Sequence, residues 1–148
     1  MFRHILIPTD GSALSLKAAR VAAGLAVDLK AKVTTLYVIP PYVTPYAGEG
    51  LYFAPASSEK DYLAGMRKVA DDALLKVEAI VAKKSVACAR EATVFDTPWE
   101  GIIKSASKMK CDLIVMASHG RGGLAAIVLG SQTTRVLTHS KIPVLVCR

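Results

Sequence analysis

DLIVMASHGRGG, residues 112–123, holds the junction on which the fold turns. After Asp112 its first half is apolar throughout, the composition of a parallel strand covered on both faces. Its second half is small and glycine-rich, which ends the strand and turns the chain. Downstream, residues 131–139 read as a short helix and residues 142–147 (IPVLVC) as a closing strand. Upstream, Thr97-Pro98-Trp99-Glu100 has the grammar of a helix start: Thr97 as cap, Pro98 at the first helical position and Glu100 reaching back to the cap amide. That helix runs to Lys108 or Lys110, where lysines suit the dipole. Residues 89–95 form a strand before it. Further back, Leu63, Met66, Ala70, Leu74, Val77 and Val81 make a helical stripe, with Ser58 and Asp61 spaced as a capping pair. Residues 32–39 (KVTTLYVI) are a β-branched strand stopped by Pro40 and Pro41. A helix capped by Ser12 precedes it, with Leu14, Ala18, Val21, Leu25 and Leu29 on one face. Residues 2–8 (FRHILIP) open the chain as a buried strand.

Strand and helix therefore alternate from end to end, which predicts an α/β fold: a three-layer, doubly wound sandwich around a five-stranded parallel sheet. The expected order is 3-2-1-4-5, with the chain reversing direction between the first and fourth strands. Ligands in such sheets sit outside the carboxyl ends of the strands at that reversal. The site is thus expected between Pro8-Thr9-Asp10-Gly11 and Ser118-His119-Gly120. A length of 148 residues, 52% of them apolar, predicts one domain over residues 1–148.

The formal charge of +7 is concentrated near the C-terminus. From residue 101 onward seven lysines and arginines face Asp112 alone, so an anionic partner is expected there. No carboxylate side chain follows Asp112, which removes acid, base and metal-ligand roles of that type from the last quarter of the chain. Cys88, Cys111 and Cys147 are widely spaced and lack CxxC pairing, and are read as buried thiols. The first twelve residues, broken by Pro8 and Asp10, do not read as a secretory signal, and no run is long enough to cross a bilayer. A cytoplasmic protein without membrane association is the expectation.

The loop after the fourth strand offers backbone amides unobstructed by side chains, and Gly130-Ser131 opens a helix whose first amides and dipole suit a phosphate. The alternative is that Gly122 and Gly123 form a turn and Ser131 only caps a helix. GxxxxGK[ST] is absent, so the site is not of Walker type. Residues 120–125 fit G-x-G-x-x-A, but not after the first strand and without the acidic residue expected about 20 positions on.

At these residues the chain resembles the universal stress protein family over nearly its whole length. ILIPTDGS at residues 5–12 is similar to the family's opening strand and turn. Ala117-Ser118-His119-Gly120, nine residues, then Gly130-Ser131 resembles the G-x-x-G-x9-G-[ST] signature of its nucleotide-binding members, with Ala117 in place of the first glycine. The closing KIPVLVCR agrees as well. The resemblance implies a fold of the adenine nucleotide alpha hydrolase kind and an ATP site, with or without Mg2+. Under it Gly120, Gly130 and Ser131 would hold phosphates, Ala117 would lie beside the ribose, and Pro8, Thr9 and Asp10 would border the adenosine. Val38 would meet adenine through its backbone and Met116 would pack nearby. Ser118, His119, Arg121, Gly122, Gly123, Gln132 and Thr133 complete the expected binding set. The resemblance also implies a homodimer through the edge strand at residues 142–147.

Asp10 could instead simply cap the first helix, and Val38 and Met116 are equally explained as core. His119 has no carboxylate close in sequence to orient it as a base and reads as a loop or phosphate-neighbouring residue. His4 and His139 read as structural or exposed, while Arg121 and Arg135 could supplement the phosphate field. Residues 40–57, with Tyr42, Tyr46, Tyr52 and Phe53, are long for a connection and could cover the nucleotide, meet a partner or pack locally. The leading expectation is an ATP-binding regulatory or stress-response module, with slow hydrolysis at most and an unidentified protein partner. A Mg-dependent ATPase and a non-nucleotide interaction module of the same fold are the alternatives. Nucleic acid is favoured by charge only, since no recognition motif or base-stacking strand is present.

Overall fold

The computed structural model describes residues 1–43, 58–120 and 129–148. Strands β1 (His4–Pro8), β2 (Lys32–Ile39), β3 (Cys88–Val94), β4 (Leu113–Ala117) and β5 (Val144–Cys147) alternate with helices α1 (Ala13–Leu29), α2 (Glu59–Ala82), α3 (Pro98–Lys108) and α4 (Ser131–His139). They form one parallel sheet in the order β3-β2-β1-β4-β5, as the alternation predicted. Ile5 pairs with Val33 on one side and Leu113 on the other, so β1 and β4 are adjacent and the chain reverses between them.

β1 and β4 are buried at every position, in keeping with cover on both faces. On one face Ile5, Ile7, Val33 and Val115 pack with α1 and with Val77 and Val81 of α2. On the other, Leu6, Leu36, Ile114 and Met116 meet Ile102 and Ala106 of α3 and Val136 of α4. The two faces give three layers.

α1 corrects one expectation. Its buried stripe is Ser15, Ala18, Ala19, Ala22, Ala23 and Ala26, whereas Val21 is 44% exposed. The leucines at positions 14, 25 and 29 pack at the margin of the core. Small side chains at three- and four-residue spacing let the helix backbone lie close to the sheet, and bulk is pushed to the flanks.

α2 begins as read: Ser58 Oγ accepts the Asp61 N–H and donates to Asp61 Oδ2. α3 begins at Pro98 after Thr97, but the capping bonds expected there do not form. The Thr97 hydroxyl is buried without a partner and Glu100 instead approaches Lys104 at 3.8 Å. At the opposite end of the sheet, Asp112 ties β1 to β4 by accepting the main-chain N–H groups of Arg3 and His4. His4 is buried with Nε2 2.8 Å from Thr34 Oγ1, and is structural as expected. Cys111 and Cys147 are buried and Cys88 is half-buried, all as free thiols. Among the described residues no helix is long and apolar enough to cross a membrane.

Candidate functional site

At the carboxyl ends of the strands, a cavity of about 770 Å³ opens at the β1/β4 reversal, a size suited to a small organic ligand. Its walls come from both sides of that reversal. Pro8, Thr9 and Asp10 follow β1, Met116 and Ala117 end β4, and His119 and Gly120 lie just beyond. Gly130, Ser131 and Gln132 enter from the start of α4, and Val38 from β2. Chain reversal separates the loops after β1 and β4 onto opposite faces, and the gap between them is the crevice.

The turn after β1 is fixed by its own polar groups. Gly11 adopts φ 78°, a left-handed conformation that glycine takes without strain. Asp10 Oδ1 accepts the Ser12 N–H at 2.9 Å, and Ser12 Oγ caps α1 by accepting from Ser15. Asp10 is therefore not the cap itself; it shapes the turn ahead of the cap while its carboxylate borders the cavity. Ser15 Oγ donates to Ser12 O at 2.8 Å, so the Thr9 hydroxyl, 3.0 Å from Ser15 Oγ, must be the donor between the two. Thr9 Oγ1 also accepts the Gly11 N–H at 3.1 Å. Its proton is thus committed inside the protein.

Across the crevice, Gly120 lies so close to Asp10 that a Cβ would come 2.5 Å from Oδ2. Gly130 is confined less tightly but by main chain: a Cβ there would meet His119 Cα at 3.1 Å and Ser118 O at 3.3 Å. Its N–H donates to Ser118 O at 2.7 Å. That changes the part expected of Gly130. Its amide is occupied by the protein's own carbonyl, and the glycine is needed for close approach of two backbones. Gly130 is also the N-cap of α4 and supplies no capping side chain, so Ser131 is not a cap and its side chain lies on an exposed residue.

Two residues expected at the ligand stand behind the wall. Ser118 is buried, its N–H on Cys147 O at 2.7 Å and its Oγ 3.1 Å from His119 Nδ1. Thr133 is buried and donates to Ala117 O at 2.9 Å, anchoring α4 to the end of β4. Their hydroxyls are used in holding the site rather than in facing it. Arg121, Gly122 and Gly123, like Tyr46, Tyr52 and Phe53, lie outside the described residues. Tyr42 begins the 40–57 segment against α2, its ring 5.4 Å from that of Tyr62, whose hydroxyl donates to Pro40 O.

Leu36, Tyr37, Met66, Ile102 and Leu129, none of them expected at a ligand, also line the cavity. As apolar residues on buried faces they carry the same signal as core, and only proximity separates them from it. Pro40 and Pro98 were findable, because each follows the carboxyl end of a strand. Among the described residues no cluster of three or more His, Cys, Asp or Glu is placed to hold a metal ion.

The family model described as the universal stress protein family matches residues 1–148. The chain belongs to the universal stress protein family. A universal stress protein of Methanocaldococcus jannaschii is 35% identical over 149 residues, spanning 100% of this chain and 83% of that protein. The solved structure of universal stress protein UspA from Lactobacillus plantarum superposes with a TM-score of 0.81 at 26% identity, covering 99% of this chain and 98% of the other. Another universal stress protein, crystallised in complex with cAMP, has a TM-score of 0.67 and 22% identity over 99% of this chain and 97% of its own, and shares the fold.

Proposed function

We propose that this universal stress protein binds an adenine nucleotide, ATP in the first instance, in the cavity at the β1/β4 reversal, and acts as a nucleotide-dependent regulatory module. The observation that carries the reading is the pairing, in one cavity, of an apolar wall with the start of a helix that has no side-chain cap. Leu36, Val38, Ile102 and Met116 would take the flat apolar base, and Asp10 would accept ribose hydroxyl bonds. The first-turn amides of Ser131 and Gln132, with the Ser131 hydroxyl, would meet the phosphates, where the helix dipole favours negative charge. Ala117, buried and bordering the same space, would lie beside the ribose. If magnesium accompanies the nucleotide, Asp10 would be the carboxylate nearest to it, with phosphate oxygens supplying the rest of its shell. The complex of a relative with cAMP supports an adenine nucleotide as the ligand class.

Turnover would be slow, since Asp10 would have to orient water and metal almost unaided. The protein would fold as one domain over residues 1–148, work in the cytoplasm, pair through its edge strand and signal to a protein partner. A non-nucleotide interaction module is the second reading, favoured by the Gly130 N–H, whose bond to Ser118 O removes one phosphate donor.

Calorimetric titration with ATP, ADP and AMP separates the two. Saturable binding is expected in the micromolar range, with Gly130→Ala weakening it about tenfold or more, because the added Cβ would press on the backbone of His119. A protein that binds none of the three, and copurifies with no nucleotide by mass spectrometry, is the interaction module.

A further inference from the structure

Gln132 lines the cavity, and its Oε1 accepts the main-chain N–H of Trp99 at 3.1 Å. That bond links the first turn of α4 to the first turn of α3, and it also fixes the orientation of the carboxamide. A peptide N–H can donate only to the oxygen, so the amide nitrogen must occupy the other branch. The only buried side-chain polar atoms left without a partner among the described residues are Thr97 Oγ1 and Trp99 Nε1. Gln132 Nε2 is therefore not sealed in the protein, and no hydrogen bond within the described structure uses it. An oriented, unspent two-proton donor stands in the wall beside the start of α4.

We propose that Gln132 is a phosphoryl-oxygen donor whose aim is set by Trp99. The proposal rests on the nucleotide reading above and adds a side-chain contact to the helix-start amides. Oε1 stays on the Trp99 N–H while Nε2 donates to a nucleotide phosphate, so that the ligand bridges α4 and, through one carboxamide, α3. Ligand occupancy would in this way stiffen the joint between the two helices on one face of the sheet.

Substitution by glutamate and by methionine distinguishes donor from brace. Gln132→Glu keeps an oxygen for the Trp99 N–H but places negative charge where the NH2 stood. Gln132→Met keeps the bulk and loses both bonds. If Gln132 served only to join the helices, with its carboxamide turned away from the phosphates, the glutamate variant would bind ATP within a few-fold of the parent and the methionine variant would be the weaker. If it donates to phosphate the rank inverts: the glutamate variant is weakest, by about 10- to 100-fold, since a bond to a charged group is lost and repulsion takes its place. Parent-like ATP affinity in a folded Gln132→Glu protein overturns the proposal while leaving the nucleotide reading intact. Absence of ATP binding by the parent overturns both. Should the glutamate variant fail to fold, the Gln132 side-chain NH2 resonances of the parent, assigned by their loss in Gln132→Met, decide. They are expected to shift on adding ATP, and unchanged resonances at saturation refute the contact.

Discussion

Gly101 shows how a single missing methyl shapes the cavity from outside it. A Cβ there would come 2.9 and 3.0 Å from the two Cγ atoms of Val38 and 3.1 Å from Phe95 Cβ. Because Val38 lines the cavity, Gly101→Ala is expected to drive that side chain toward the space proposed for adenine. The expected result is a several-fold loss of ATP affinity by calorimetry, with a stability loss of about 1–3 kcal/mol in urea melts from overpacking. Gly101 itself makes no contact with the cavity. Nothing in its sequence setting, within a helix between Glu100 and Ile102, marks it as different from a tolerated helical glycine, since the pressure comes from a strand more than sixty residues away. Gly120 and Gly130 were legible from spacing within the G-x-x-G-x9-G-[ST] pattern, but the reason for Gly130 was not. That reason is tertiary, since the Ser118 carbonyl accepts the Gly130 N–H.

Among elements, the start of α3 is the sharpest case. Thr97-Pro98-Trp99-Glu100 satisfies every local rule for a capping box, yet Thr97 makes no capping bond and its hydroxyl is buried without a partner. A buried, unpaired hydroxyl is destabilising, and an apolar group of the same shape removes that penalty. Thr97→Val is accordingly expected to raise the stability of the protein by about 1 kcal/mol in chemical denaturation, where a working cap would lose about that much. A fall in stability would show that the hydroxyl is satisfied in solution. The Trp99 N–H finds its acceptor in Gln132, thirty-three residues away, which no local rule anticipates. In α1 the periodicity correctly announced a helix, but both alanines and leucines are spaced to form stripes. The choice between them was settled by how closely the helix lies on the sheet.

Across the whole molecule, two ionisable groups link β1 to the rest of the sheet and make its stability pH-dependent. Burial, and then the Lys32 charge, hold the His4 imidazole below its ordinary 6.5. The unfolded chain therefore takes up the proton first. This contribution is intact above about pH 6.5 and declines as pH falls from there toward the folded-state value. Burial alone would raise the Asp112 carboxyl, but the amides of His4 and Arg3 prevail and hold it below its ordinary 3.8, so a further loss follows at more acid pH. Thermal melts between pH 7.5 and pH 5 should show a falling midpoint, and His4→Gln should flatten that slope. A wild-type midpoint constant over this range would contradict the burial of a neutral His4. At the sheet edge, β5 pairs among the described residues with β4 alone, and Leu145 is 39% exposed. The proposed dimer through this strand is tested by Leu145→Lys, expected to convert a dimer to a monomer in analytical ultracentrifugation. A wild-type protein that sediments as a monomer removes that proposal.

The sequence by itself determined the order and type of the elements, the parallel sheet and the end of it where a ligand would lie. These follow from hydrophobic period, chain-turning residues and handedness, which are local or nearly so. Tertiary structure alone decided which polar groups remain available there. The Thr9 hydroxyl and the Gly130 amide proved to be spent inside the protein, the Gln132 nitrogen did not, and Leu36, Met66 and Ile102 became wall. A hydrogen-bonding group is free or occupied according to what distant chain brings within about 3 Å of it, and that proximity is created only when the layers pack.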